Sequence, residues 1–199
     1  MSERHNTDPE EVLRFWLDEL TPGQWYVADE AVDDVIRVRF GTAWEAARAG
    51  GLTDWRKGPR GSLAYLILTD QFPRNMFRGD AKAFATDALA RAATSDAIVK
   101  GWDLQIPEPA RQFFYLPLEH SEDIGDQDRA VTLVQSAMPE TGASTLLHAR
   151  AHREIIRRFG RFPFRNQALE RESTPQERAF MAEGGYGAIV KMLESAGSN

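Results

Sequence analysis

Two stretches of this 199-residue chain end in nearly the same phrase: DQFPRN at residues 70–75 and GRFPFRN at residues 160–166. Each brings an arginine and an asparagine together, Arg74 with Asn75 and Arg165 with Asn166, behind a Phe-Pro pair. Two guanidiniums with flanking amides, if the phrases converge, would grip a carboxylate or a phosphate through forked, charge-assisted hydrogen bonds. The same residues also suit helix ends. A cation there answers the orphan carbonyls and the negative end of the dipole, Asp70 can pair with Arg74 one turn on, and asparagine favours turns.

The second chemical cluster is YLPLEHSED at residues 115–123. His120 is its acid–base candidate, because imidazole titrates near neutrality. Glu119 or Asp123 could orient the ring, and Tyr115, with Trp102, Phe113 and Phe114 before it, could wall a pocket whose polar end is His120. Ser121 can cap the next helix, with Glu122 and Asp123 enriching its first turn. A third feature is the pair His148 and His152, at a spacing that suits two ligands of one metal. Ile155, Ile156 and Phe159 continue the same helical face, so the pair reads as packed core-edge histidines and no metal site is assigned. The fourth is the run Arg150, Arg153, Arg157, Arg158, Arg161 and Arg165 with Phe159, Phe162 and Phe164 between. Aromatics among arginines could clamp single-stranded nucleic acid. A net charge of −6 argues against that partner.

Other chemistries are poorly served. Cysteine is absent, which removes disulfides, thiol nucleophiles and cysteine-rich zinc sites. There is no GxSxG elbow and no Walker spacing, and the residues name no cofactor. The N-terminus carries early charges of both signs with no apolar stretch, so no signal peptide is read there. The longest apolar run, Leu63 to Leu68, is far below the ~20 residues of a membrane helix. A cytoplasmic bacterial-type protein is expected, and its oligomeric state is left open.

The elements that must position these residues are helices. Asp8-Pro9 opens the first, with Phe15 and Trp16 on its apolar face. The second spans about Asp29 to Ala49 with Val32, Val35, Ile36, Phe40 and Trp44 inward. A third runs from Pro59 to Gln71 and is stopped by Pro73. A fourth starts near Asp80, and a short aromatic one spans Pro107 to Tyr115, bent or ended at Pro117. Ser121 or Glu122 opens the next, to about Met138; another runs from about Gly142 to Phe159, stopped by Gly160 and Pro163. Thr174-Pro175-Gln176-Glu177 is a capping box for the last. No strand pattern is present. The expectation is an all-α single domain, residues 1–199, of seven to nine helices packed as antiparallel hairpins.

Three motifs in order, DQFPRNMFRG, FFYLPLEHSED and GRFPFRN…RESTPQE, resemble the bacterial domain-of-unknown-function family 924 over about residues 8–180. The resemblance implies an all-helical, tetratricopeptide-like fold without the repeat consensus, and no established activity. This chain departs from the family pattern at Phe164, where histidine is usual, and at Glu119, where methionine is usual. Any proton transfer or metal binding by a histidine at 164 is lost here. Taken together, the residues suggest a protein that binds a small anionic ligand or a peptide carboxylate through Arg74, Asn75, Arg165 and Asn166. The alternatives are a hydrolase-type enzyme with His120 as general acid–base, and a helical protein–protein scaffold.

Overall fold

The computed structural model describes residues 7–197; the first residues of the N-terminal segment read for a leader lie outside them. Every regular element among the described residues is helical. Ten α segments occur: α1 (Pro9–Leu13), α2 (Glu30–Arg48), α3 (Pro59–Leu66), α4 (Phe72–Met76), α5 (Asp87–Val99), α6 (Leu116–Glu119), α7 (Ile124–Ala137), α8 (Ala143–Phe159), α9 (Pro175–Ala182) and α10 (Gly185–Gly197). Since α3 and α4 are continuous through a π-helical turn at Ile67–Gln71, ten segments make nine separate rods. Contacts divide the chain into two compact units, Met1–Ile106 and Pro107–Asn199.

In the first unit the caps are those the sequence marks. Asp8 accepts from the Glu11 N–H with Pro9 at the first helical position, and Asp29 accepts from the N–H groups of Ala31 and Val32. The core is aromatic. Phe72 lies 4.8 Å from Phe40, 5.5 Å from Trp16 and 6.0 Å from Phe15, centroid to centroid, and all four are buried. Ile36, Phe40 and Trp44 face inward on α2 as expected, but Val35 is 40% exposed and Asp33 takes a buried place instead. The reason lies outside the helix. Asn75 Nδ2 donates to Asp33 Oδ1 at 2.7 Å and Arg78 grips both its oxygens at 2.5 and 2.9 Å, so the carboxylate is buried with its charge answered.

Pro73 does not stop its helix. The Phe72 N–H bonds the carbonyl of Ile67, five residues back, so the chain enters α4 from a π turn. A proline at 73 withholds the N–H that would serve the Thr69 carbonyl four residues earlier. Here the Thr86 hydroxyl donates to that carbonyl at 2.5 Å and itself accepts from Trp44 Nε1 at 3.1 Å. Replacing Thr86 by Val keeps the shape while orphaning a buried carbonyl and a buried indole N–H. We expect a loss of about 2 kcal/mol of stability, read as a lower denaturation midpoint in urea. The expected fourth helix likewise starts later: Asp80 caps a 3₁₀ turn at Ala81–Phe84, and α5 follows.

In the second unit a 3₁₀ turn at Ala110–Phe114 leads into α6, where Pro117 is the second helical residue and ends nothing. The cap of α7 is Asp123, which accepts from the N–H groups of Gly125 and Asp126. The helix opens two to three residues later than Ser121 and Glu122 suggest. Ser121 is buried one turn earlier and its hydroxyl meets the Asp123 N–H at 3.2 Å. Helix α8 packs on both α7 and α10. Its apolar face, Ala151, Ile155 and Ile156, forms a core with Phe162, Phe180 and Ile189. Gly160 ends α8 in the left-handed region, at φ 68°, where a side chain is strained.

Candidate functional site

In the first unit, Arg74 is held three ways. Its guanidinium donates to the Asp70 carbonyl at 2.5 Å, lies 3.3 Å from the Asp70 carboxylate, and meets Asp87 at 3.1 Å. Burial opposes its charge, but the two acids more than offset that and hold it above its ordinary value. Asn75 serves Asp33. The phrase DQFPRN therefore sits in a network local to its own unit.

The second phrase belongs to the other unit and is equally occupied. Arg165 donates to the His120 carbonyl at 3.0 Å and lies over the Phe162 ring at 4.4 Å. Asn166 donates to Ser173 Oγ at 3.1 Å and to Glu177 Oε2 at 3.2 Å, and accepts from Arg171 Nε at 3.0 Å. Arg171 also holds Glu122 by both oxygens, at 2.7 and 3.0 Å, while the Phe162 N–H reaches that carboxylate at 2.8 Å. Burial pushes the Glu122 carboxyl up; Arg171 and the Phe162 amide outweigh it and hold the group below its usual range. Four arginines of the arginine-rich run are paired as well: Arg157 and Arg158 with Glu154, Arg153 with Asp128, and Arg161 with Glu177.

This framework fixes the turn at Pro163–Arg165 and sends Phe164 outward, 39% exposed. Phe164 forms one wall of an open pocket of about 480 Å³ lined by His152, Met181, Gly184, Gly185, Tyr186 and Gly187. Gly184 and Gly185 take φ of 103° and 53°, so the turn between α9 and α10 uses backbone that other residues rarely adopt. That turn places the start of α10 along the pocket wall, and the first N–H groups of a helix have no partner within it.

His152 is the imidazole of this pocket. Its ring sits 5.0 Å from Tyr186, 5.4 Å edge-on from Phe162 and 6.0 Å from His120. Behind it lies Glu119, fully buried, with Oε2 3.7 Å from His152 Nδ1. The Tyr186 hydroxyl meets His148 Nδ1 at 2.5 Å, and the two rings stack. Burial and then the Glu119 charge push the Tyr186 phenol well above its ordinary value. Burial also lowers His148 below the usual histidine range. The phenol and the His148 imidazole thus share one hydrogen bond at the pocket's edge.

Of the residues singled out from the sequence, Glu119 and His120 gather around His152 in the second unit, while Arg165 and Asn166 build the turn beside it. Tyr115 is fully buried in the chain that leads to Glu119, and Asp123 is an exposed helix cap. Arg74 and Asn75 belong to the first unit. The sequence reading assigned His152 to packing and passed over Tyr186. The available signal was the four-residue spacing of His148 and His152 combined with an aromatic set between glycines in GGYG, which frees backbone on both sides of a ring. Phe164 stands in the pocket wall and Glu119 behind the imidazole. Among the described residues, no three His, Asp or Glu side chains are grouped to hold a metal ion, and no helix is long and apolar enough to cross a membrane.

The family model described as bacterial protein of unknown function (DUF924) matches residues 12–185. A solved structure of a protein of unknown function from Agrobacterium tumefaciens, ATU0120, is similar to this chain at 44% identity and a TM-score of 0.82. The match covers 88% of this chain and 97% of that one. No curated protein matches.

Proposed function

The chain belongs to the bacterial family DUF924, whose name carries no activity, and from the site's geometry we propose that its second unit binds a small molecule with an apolar body and a carboxylate end. The observation that carries this reading is the pocket itself: an imidazole backed by a buried carboxylate opens into a cavity walled by Phe164, Met181 and Tyr186. Its volume falls within the roughly 300–1,000 Å³ of small-molecule sites, and its mixture of apolar walls and few polar groups is what such sites need. The rings and the thioether take the apolar body. The carboxylate meets His152 and the amides of Gly185, Tyr186 and Gly187, where the helix start carries partial positive charge. Arg165 and Asn166 serve as the framework that presents Phe164. The small anionic ligand expected from the sequence is thereby kept, and its seat moves to the His152 pocket.

The test is a titration with straight-chain carboxylates from acetate to hexanoate, followed by amide chemical shifts. Shifts should concentrate at residues 184–187, and affinity should rise with chain length. His152→Ala should weaken binding at least ~10-fold, the equivalent of about 1.4 kcal/mol. If these amides stay still for every member of the series, the carboxylate pocket is wrong.

A further inference from the structure

We infer that this pocket hydrolyses esters of small apolar carboxylic acids, with His152 as general base and Glu119 as its positioning residue; the inference rests on the carboxylate pocket proposed for the same site. Three parts of acyl hydrolysis are brought together here. The base is the imidazole lining the cavity. The orienting group is Glu119, whose carboxylate stands 3.7 Å from Nδ1 of the ring that lines the pocket. The electrophilic corner is the start of α10, where amides placed to take a carboxylate are equally placed to take the oxyanion of a tetrahedral intermediate.

The nucleophile is water. Among the described lining residues there is no serine, threonine or cysteine, and the one hydroxyl, on Tyr186, is tied to His148. The imidazole takes a proton as the water oxygen adds to the acyl carbon, and the carbonyl π pair moves onto oxygen. Glu119, 3.7 Å from Nδ1, favours the imidazolium by charge and sets the orientation of the ring. The intermediate then collapses, the acyl carbon–oxygen bond breaks, and the imidazolium returns its proton to the departing alkoxide. Ester and water become acid and alcohol, and His152 is restored. The acid formed is the carboxylate that the pocket binds, so product should compete with substrate.

The experiment uses the full chain and 4-nitrophenyl butyrate, following release of 4-nitrophenolate, with butyrate binding measured in parallel. Turnover should exceed the buffer rate and be inhibited by butyrate. His152→Ala should lower kcat/KM at least ~100-fold, the lower range for loss of a general base. Glu119→Gln should lower kcat ~10-fold or more with KM little changed. It should also shift the His152 proton off Nδ1, read from the nitrogen chemical shifts of the ring, a change that a packing role would not produce. Circular dichroism establishes that each variant is folded. Binding of butyrate at residues 184–187 without ester cleavage overturns the hydrolysis and leaves the binding pocket standing. Cleavage that survives His152→Ala also overturns it, and failure to bind any carboxylate removes both readings.

Discussion

Phe72→Ala should remove about 3–5 kcal/mol of stability, the range for deleting a fully buried phenylalanine. Phe72 is completely buried and contacts three other buried rings, Phe15, Trp16 and Phe40. Its position makes collapse around the void difficult. It opens α4 directly after the π turn, with Pro73 next in sequence, so the backbone that carries it is already committed to an unusual hydrogen-bond pattern. The measurement is equilibrium unfolding in urea followed by tryptophan fluorescence, Trp16 being one of the contacts. Phe72→Leu, which keeps most of the volume, should lose well under half as much. Equal losses for Ala and Leu would mean that ring packing, not volume, governs the site.

Glu177→Ala should cost about 3 kcal/mol, because one buried carboxylate does three jobs. It closes the capping box of α9, accepting from the Thr174 N–H at 2.8 Å. It takes Arg161 by both oxygens, at 2.6 and 2.8 Å. It also accepts from Asn166, which ties α9 to the turn carrying Phe164. Breaking a buried pair from one side commonly costs about 3–5 kcal/mol, and a lost cap about 1 kcal/mol. Arg161 is partly exposed and regains water when its partner goes, which brings the sum down. The same residue sets a pH dependence. Arg161, with help from the Thr174 amide and Asn166, holds the Glu177 carboxyl down to about 2, from an ordinary 4.5. Its folded-state value is depressed, so its contribution is present in full above about pH 4.5 and is lost as pH falls towards 2. Glu177→Gln should flatten the acid limb of the stability profile between those values. An unchanged acid limb would mean that other carboxylates dominate there.

What could be read from the sequence follows how local each feature's cause is. Asp8, Asp29 and Thr174 were legible as helix starts because a cap and the amides it serves lie within three residues of each other. Gly160 was legible as a stop for the same reason. Val35 was not legible as an exposed residue. On the helical pattern it belongs inward, and what turns that face is the burial of Asp33, whose partners Asn75 and Arg78 lie more than forty residues away. Pro73 was misread as a stop because its rescue comes from Thr86, on a later segment. Ser121 and Asp123 are both plausible caps by residue type, and only the bend of the chain after α6 selects Asp123. The junction at Ile106–Pro107 carries no linker signature. The pocket was least legible of all, since Glu119, His152, Phe164 and Tyr186 come from four separate segments and each has an ordinary packing role on its own.

The π turn at Ile67–Gln71 acts as a phase shift. One extra residue per turn turns the helix back by about 100° relative to an uninterrupted α-helix. Everything after it, including Phe72, Arg74 and Asn75, faces a direction that α3 alone would assign to a neighbouring position. A deletion of one residue within Ile67–Gln71 would leave a smoother helix of better local geometry. It would also rotate Phe72 out of its aromatic nest, swing Asn75 away from Asp33, and bring a different carbonyl opposite Pro73. In this segment the less regular helix is the one whose side chains are in register with the fold, so an aligned relative that is one residue shorter here would be expected to carry a compensating insertion before residue 87.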